Sequence, residues 1–358
     1  MKQIKVGMIG AGAIAELHLA GIQRHPQAQV VAIADPSQTR RERLAHCFHV
    51  PNTFANALKM LEETDVDAVS IAVPNALHLP LAVAALESGR HVLLEKPFAR
   101  NLEEACQINN TAQRCGRLLM VGMNQRFAPE TQAVKRAIDE GRLGRIYHAK
   151  AYWMRRSGIP RFGTWFSQRE TSGGGALLDI GVHMLDLCLY LLDNYQVRSV
   201  TAGSYSELGP RGLGEGDWGL SDPIVHPFDV DDFTSAFIRL EDDSTVALDA
   251  SWALNQQDPD RRDVQLFGTG GGARVYPVPC IFSRMDSRGT YQTVEPAMVD
   301  VRQAPCRFTH WIDAILGRAE LICTVPQALK VQAIIDAAYR SAKTGREVLI
   351  TSPELEHV

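Results

Sequence analysis

The chain has 358 residues, of which 45% are hydrophobic and 22% are charged, and its formal net charge is −4. This length allows two domains with sizeable cores, and the composition excludes an intrinsically disordered chain. The 37 basic and 41 acidic residues form no long run of one sign, which disfavours a nucleic-acid-binding surface. We also expect no membrane span, because no apolar stretch approaches the ~20 residues that a bilayer requires.

The seven cysteines are scattered along the sequence. No close pair has the spacing of a zinc site or of a disulfide framework, so we expect no metal and a reducing compartment. The N-terminal residues lead straight into a folded pattern, without the apolar core of a signal peptide. The sequence therefore predicts a cytoplasmic protein.

The first 123 residues alternate short Val- and Ile-rich runs with longer stretches of helical periodicity. This alternation predicts βαβ units and a doubly wound parallel sheet, forming a domain of residues 1–123. The predicted strands are Ile4–Ile9, Val30–Ala34, Ala68–Val73, His91–Leu94 and Leu118–Val121, and the predicted helices are Ile14–Arg24, Arg40–His46, Leu77–Ser88 and Leu102–Cys115.

Residues 124–358 have a different pattern, with hairpin-like strands separated by Gly and Asp turns. Such spacing predicts a second α/β domain with an open, largely antiparallel or mixed sheet. Its predicted strands are Ile146–Met154, Phe233–Leu240, Thr245–Trp252 and Asp263–Phe267; its predicted helices are Pro129–Glu140, one that begins near Gly175, and Gln327–Ala342; residues 207–229 are predicted to form a long loop.

A glycine-rich turn directly follows the first predicted strand. Gly10 permits a tight turn, Gly12 lets backbone approach a pyrophosphate, and Ala13 and Ile14 lead into a helix whose N-terminus attracts anions. Asp35 ends the second strand, where a carboxylate binds a ribose diol and repels a 2′-phosphate. The turn therefore predicts NAD as cofactor, and an ordinary tight turn is the structural alternative.

Arg40 and Arg41 follow Asp35 closely. An arginine at this place can bind the 2′-phosphate of NADP, so NADP stays open beside NAD.

Two further segments carry groups suited to chemistry. Glu95-Lys96-Pro97 follows the strand His91–Leu94, at the sheet edge where ligands bind. Asp179 and His183 are four residues apart on the helix predicted near Gly175, so they share one face. A carboxylate beside an imidazole can orient it and stabilise its charged form. A solvated lysine and a buried Asp–His pair are the structural alternatives.

Together these segments resemble the glucose-fructose oxidoreductase / inositol dehydrogenase (Gfo/Idh/MocA) family of nicotinamide-dependent sugar and cyclitol oxidoreductases. The resemblance runs nearly end to end, and the EKP and DIGVH segments together are specific. The matching segments are GAGAIA at 10–15, PNALH at 74–78, EKP at 95–97, SGGGALLDIGVHMLD at 172–186 and SAKTGREV at 341–348. The resemblance implies a Rossmann domain followed by an α/β domain whose open sheet face is covered in homodimers or homotetramers.

The resemblance also implies roles for individual residues. Lys96, Asp179 and His183 match the catalytic Lys, Asp and His, and Pro97 is expected to follow a cis peptide. The positions expected near the nicotinamide or its ribose are Pro74, Asn75, His78, Glu95, Asn124, Gln125 and Trp165.

From these roles we expect hydride transfer between NAD and a ring secondary hydroxyl of a pyranose or cyclitol. His183 would act as general base, with Lys96 stabilising alkoxide charge, and Lys96 as the base is the alternative. The stretch 152–166 carries aromatic and arginine side chains suited to a polyhydroxylated or acidic ring. The candidate substrate-binding residues outside the catalytic set are Arg126, Tyr152 and Arg156, and Trp153, Arg155 and Arg161 lie in the same stretch.

Two other functions stay open at this point. One is an NAD-dependent glycoside hydrolase that oxidises its sugar transiently, and the other is a non-catalytic NAD(H)-binding regulatory protein. The presence of Lys96, Asp179 and His183 together disfavours the regulator, because a sensor needs none of them.

Overall fold

A computed structural model describes residues 3–219, 227–284, 290–298 and 306–350. Within these residues the chain divides into two compact units. The first consists of Met1–Gly122, Glu170–Ser172 and Pro305–Leu329, and the second of Met123–Arg169, Gly173–Ala304 and Lys330–Val358. The first unit therefore includes two segments, Glu170–Ser172 and Pro305–Leu329, that follow residue 123 in the sequence.

The N-terminal part of the first unit is built on a six-stranded parallel sheet. The strand order β3-β2-β1-β4-β5-β6 is that of a doubly wound dinucleotide-binding fold, which confirms the predicted fold class. Its strands are β1 (Ile4–Ile9), β2 (Ala28–Ala34), β3 (Asn52–Phe54), β4 (Ala68–Ile71), β5 (His91–Leu94) and β6 (Leu119–Val121), and its helices are α1 (Ala15–Gln23), α2 (Gln38–Phe48), α3 (Ala57–Glu63), α4 (His78–Glu87) and α5 (Leu102–Cys115).

The central strands are apolar because helices cover both sheet faces. All four residues of β4 and all three of β6 are buried, as expected for a parallel sheet. The predicted strands and helices agree with these elements to within two residues at either end. β3 and α3 were not predicted, because both are short: β3 has three residues, two of them exposed, and α3 has seven.

The second unit contains a nine-stranded sheet in the order β14-β13-β12-β11-β7-β10-β9-β8-β15. All neighbouring strands are antiparallel except β7 and β10, so the sheet is mixed, as predicted. Its elements are α6 (Pro129–Asp139), β7 (Ile146–Arg155), α8 (Val182–Leu192), β8 (Val197–Tyr205), β9 (Phe233–Leu240), β10 (Thr245–Ser251), β11 (Asp260–Gly268), β12 (Gly271–Arg274), β13 (Cys280–Arg284), β14 (Tyr291–Val294) and β15 (Val348–Leu349). Of the remaining helices, α7 (Arg169–Ser172) and α9 (Arg307–Ile315) belong mainly to the first unit, and α10 (Val325–Thr344) is divided between the two units at residue 329.

The long loop predicted at 207–229 contains one short 3₁₀ turn, Gly209–Arg211, and residues 220–226 lie outside the described part of the chain.

Helix α8 lies against one face of this sheet, in contact with β7, β10 and β11. The run Arg169–Leu192, which ends in α8, is long and apolar enough to cross a membrane by composition alone. This finding contradicts our expectation that the chain has no apolar stretch of that length. Of its most apolar 18-residue window, 89% is buried within the protein, and the core helix of a globular domain has the same composition.

Candidate active site

The turn after β1 requires glycine at one position and leaves open space at another. Gly10 has a φ of +99°, and a Cβ atom there would lie 2.1 Å from the carbonyl oxygen of Ala72. Only glycine fits such a position. Around Gly12, by contrast, nothing described lies within 4 Å of the Cβ position.

Ala13 and Ile14 connect this turn to α1, and among the residues that the structure describes no side chain caps the N-terminus of that helix. The backbone N–H groups of an uncapped helix end, next to the space beside Gly12, fit a pyrophosphate. The residues present therefore suit a dinucleotide.

Asp35 is tied to the same turn. Its Oδ2 accepts a 2.8 Å hydrogen bond from the backbone N–H of Ala11, and its Oδ1 accepts one of 2.8 Å from Ser37. The half-exposed Arg40 reaches the same carboxylate, with its Nη2 3.4 Å from Oδ1. Asp35 is therefore held beside the glycine turn, and Arg40 is bound to it.

The segment after β5 is anchored by a buried network in which Glu95 forms an ion pair with Arg307 and a hydrogen bond with His18. Glu95 Oε1 lies 2.6 Å from Arg307 Nη1 and 2.9 Å from His18 Nε2. Burial would raise the pKa of Glu95, but Arg307 and His18 outweigh it and hold that pKa well below its usual range. Lys96 follows, partly exposed, and its peptide bond to Pro97 is cis, as expected.

The carboxylate of Glu95 is thus occupied inside the first unit. Its second oxygen accepts a 3.2 Å hydrogen bond from the backbone N–H of Lys96. Glu95 therefore holds the backbone at Lys96, and its expected position near the nicotinamide or its ribose stays a prediction. The partner Arg307 on α9 was not predicted, because nothing local in the sequence connects it to Glu95.

His78 is fully buried and faces two backbone carbonyls. Its Nε2 lies 3.1 Å from the oxygen of Val73, and its Nδ1 lies 3.3 Å from that of Phe98. The ring has no exposed surface, and it connects the loop after β4 to the segment after Lys96. The expected position of His78 near the nicotinamide ribose stays a prediction.

The two residues that precede this region also have defined surroundings. Asn75 is buried, and its side-chain amide donates a 2.7 Å hydrogen bond to the carbonyl oxygen of Ser172. Pro74 is half-buried.

In the second unit, Asp179 and His183 lie on one continuous helical segment. Asp179 is in the π-helical turn Leu177–Gly181, and His183 is in the first turn of α8. The indole Nε1 of Trp252 donates a 2.9 Å hydrogen bond to Asp179 Oδ2. The Trp153 ring lies 5.9 Å from the His183 ring, centroid to centroid. A π-helical turn inside an α-helix often marks a functional site.

Strand β7 places its alternate side chains on opposite sheet faces. Ala151 and Trp153 face α8, whereas Tyr152 lies on the other face, where the Arg261 guanidinium covers its ring at 5.4 Å. The predicted substrate contact of Tyr152 is therefore wrong, and its neighbour Trp153 is the residue beside His183. Both are aromatic, so only the register of the strand decides between them.

Two further predicted arginines lie at the end of β7. Arg155 stacks on Trp153, with Cζ 4.6 Å from the ring centroid, and its Nε lies 3.4 Å from Asp260. Arg156 is exposed, and its Nη1 donates a 3.2 Å hydrogen bond to the carbonyl oxygen of Gln257. Arg155 thus faces the same side as His183, and Arg156 is bound to a neighbouring loop.

Arg126 has no exposed surface and forms a bidentate ion pair with Asp186. The prediction that it binds substrate is therefore wrong, because its guanidinium neutralises a buried carboxylate of α8. Gln125 accepts a 2.8 Å hydrogen bond from the hydroxyl of Tyr276. Trp165 stacks on Phe166 at 3.7 Å between ring centroids.

Asp231 holds the N-terminal end of the helical segment that carries Asp179 and His183. Its carboxylate accepts backbone hydrogen bonds from Gly175 (2.7 Å) and Leu177 (2.9 Å) and a hydroxyl bond from Tyr339 (2.7 Å). Sequence reasoning missed this residue, because Asp231 lies 54 positions after Leu177, whose backbone N–H group it binds.

Comparison with known proteins assigns the family. Residues 4–123 match the NAD-binding Rossmann fold of the Gfo/Idh/MocA oxidoreductase family, and residues 131–274 match a C-terminal domain of that family. The chain belongs to the Gfo/Idh/MocA family. Its first unit therefore contains an NAD-binding domain, and the expected cofactor is confirmed at the level of the family.

Individual relatives agree with this assignment. D-glucoside 3-dehydrogenase of Escherichia coli K12 is 31% identical over 96% of this chain and 97% of its own length. Levoglucosan dehydrogenase of Pseudarthrobacter phenanthrenivorans is 28% identical over 70% of this chain and 68% of its own length. A structure of levoglucosan dehydrogenase with NADH and levoglucosan has a TM-score of 0.83 over 98% of this chain and 100% of that chain, at 23% identity.

Proposed function

We propose that this protein is an NAD-dependent dehydrogenase or reductase that acts on a ring secondary hydroxyl of a sugar or cyclitol. One observation carries the proposal: a single helical segment presents Asp179, bound by Trp252, and His183, beside the ring of Trp153. An aromatic face next to a buried imidazole and a fixed carboxylate suits a polyhydroxylated ring. The curated relatives that act on glucosides and levoglucosan support the same substrate class.

The cofactor would be held by the first unit. Gly10, Gly12, Ala13 and Ile14 would receive the pyrophosphate, and Asp35 would accept hydrogen bonds from the adenosine ribose. When bound, the nicotinamide supplies the hydride acceptor or donor. Arg40 is bound to Asp35, so NAD is preferred over NADP in this proposal.

The chain's own residues would manage the proton and the charge. His183 takes the proton of the reacting hydroxyl as general base, and Asp179, fixed by Trp252, binds a neighbouring hydroxyl and orients the imidazole. Lys96 donates a hydrogen bond to the reacting oxygen and stabilises its developing negative charge.

The test is NADH formation at 340 nm with NAD or NADP and a panel of neutral, anhydro and acidic sugars and inositols. We expect NAD reduction with a ring polyol, and a loss of turnover of about 10²- to 10⁴-fold in His183→Ala with unchanged NADH affinity. His148→Ala is the matched control, because His148 lies on the other face of β7 and bonds Thr245.

Other outcomes would assign a different function. Aryl glycosides tested beside the panel distinguish a hydrolase, because release of the aglycone without net NADH would indicate the glycoside hydrolase. NADH binding without turnover of any sugar would indicate the regulatory protein. A His183→Ala variant with weakened NADH affinity but an unchanged kcat at saturating NAD would overturn the role of His183.

We also propose that residues 1–123 hold the cofactor, that residues 124–358 bind substrate and form the oligomer interface, and that the protein is a cytoplasmic homodimer or homotetramer. Tyr205, Phe233 and Phe237 lie on the sheet face opposite α8, and Tyr205 and Phe237 are exposed. Exposed aromatic side chains on an open sheet favour burial against a second copy, which sedimentation velocity measures.

A further inference from the structure

The side chain of Arg262 lies on the sheet face that carries Trp153. Arg262 pairs in register with Trp153 across β11 and β7, and its Cζ lies 5.0 Å from the Trp153 ring centroid. The Cζ atom also lies 4.5 Å from the ring centroid of Tyr276. Arg262 is half-buried, and its guanidinium lies beside both aromatic rings.

Among the residues that the structure describes, no carboxylate or carbonyl oxygen pairs with this guanidinium. Its neighbours differ: Arg155 pairs with Asp260, and Arg261 pairs with Asp258. The two carboxylates of β11 are also engaged, since Asp260 accepts from the Trp153 indole and Asp263 accepts from backbone N–H groups on the opposite face. Arg262 therefore keeps a cation and planar N–H donors that ring faces alone do not satisfy.

Trp153 connects this cation to the candidate general base. The centroid of the Trp153 ring lies 5.9 Å from the centroid of the His183 ring and 5.0 Å from the Cζ atom of Arg262. A sugar ring that lies against Trp153 with one hydroxyl at His183 would thus have a substituent within reach of Arg262. A guanidinium binds carboxylate and phosphate groups through two parallel hydrogen bonds, and it has no comparable pairing with a neutral hydroxymethyl group.

We infer that Arg262 binds an anionic substituent of the sugar, so that the preferred substrate of this protein is an acidic or phosphorylated sugar. This inference rests on the proposed function, because it assigns the substrate class of the same site. Carboxylate and phosphate share the chemistry that Arg262 recognises, and the experiment distinguishes them.

The experiment measures kcat and KM with NAD for D-glucuronate, D-galacturonate and D-glucose 6-phosphate, each beside its neutral parent sugar. We expect an acidic sugar to be preferred, and Arg262→Met to lower its kcat/KM by about 10- to 100-fold, mainly through KM. The neutral sugar should change less than about threefold in the same variant. If Arg262→Met lowers kcat/KM for the uronates, the recognised anion is a carboxylate. If it lowers kcat/KM for D-glucose 6-phosphate, the anion is a phosphate.

Arg261→Met is the matched control, because Arg261 is the adjacent residue of β11 but lies on the opposite face, over Tyr152. It should leave all kinetic constants within about twofold of wild type. Calorimetric titration of the acidic sugar into the NADH-bound protein should show the same loss of affinity in Arg262→Met, without dependence on turnover.

Three results would overturn the inference. Neutral sugars could be oxidised at least as well as the acidic ones, or Arg262→Met could weaken acidic and neutral sugars equally; either result leaves the proposed dehydrogenase in place. If no sugar of any charge reduces NAD, the proposed function fails, and the substrate class fails with it.

Discussion

At the residue scale, Gly10 and Gly12 belong to one motif, but different constraints require glycine at the two positions. Gly10 is required by the fold, because a side chain would overlap the backbone of Ala72. Gly12 is not, since space surrounds its Cβ position among the described residues. If that space receives the pyrophosphate, glycine at position 12 is kept for the ligand.

Gly12→Ala therefore separates folding from cofactor binding. We expect its melting temperature to stay within a few degrees of wild type, because no atom of the described residues lies within 4 Å of the added methyl group. Its affinity for NADH, measured by fluorescence titration, should fall by about tenfold or more. Unchanged NADH affinity in a folded Gly12→Ala protein would contradict the assignment of this turn to the pyrophosphate.

At the scale of the element, the helical segment that carries Asp179 and His183 depends on its junction with Asp231. The backbone N–H groups of Gly175 and Leu177 are satisfied by the Asp231 carboxylate, which is itself bound by Tyr339. A Cβ atom on Gly175 would lie only 1.9 Å from the carbonyl oxygen of Asp231. The start of the segment is therefore fixed by close backbone contact.

Two substitutions test this junction. Gly175→Ala should destabilise the protein by several kcal/mol, because backbone atoms must move apart. Asp231→Asn keeps the shape of the side chain but weakens the charged cap, so we expect a loss of about 1–2 kcal/mol in urea unfolding and a lower kcat with little change in KM for NAD. Wild-type kcat in a destabilised Asp231→Asn protein would show that the cap serves stability alone.

At the scale of the whole molecule, buried histidines make stability depend on pH. Burial lowers the pKa of both His18 and His78 below the ordinary value of 6.5, so both stay neutral in the folded protein at pH values where the unfolded chain is protonated. Because the unfolded state then binds more protons, the contribution of these two histidines to the free energy of unfolding is greatest above pH 6.5 and falls as the pH is lowered through that value.

Thermal unfolding between about pH 8 and about pH 5 measures this effect. We expect the melting temperature to fall on acidification in the wild type, and His78→Gln to reduce the slope. The exposed His46 provides the control, since His46→Gln should leave the slope unchanged. Equal slopes in wild type and His78→Gln would exclude His78 as a source of the acid sensitivity.

The sequence by itself determined the parallel sheet, the glycine turn with Asp35, the mixed second sheet and the family, because these depend on local periodicity and on short motifs. Only the tertiary structure decided which side chains share a site. Strand register placed Trp153 beside His183 and Tyr152 on the other face, and long-range ion pairs enclosed Arg126 with Asp186 and Glu95 with Arg307. A sequence records the type of each side chain, but its direction and its charge partner arise from chain segments far apart, which meet only when the protein folds.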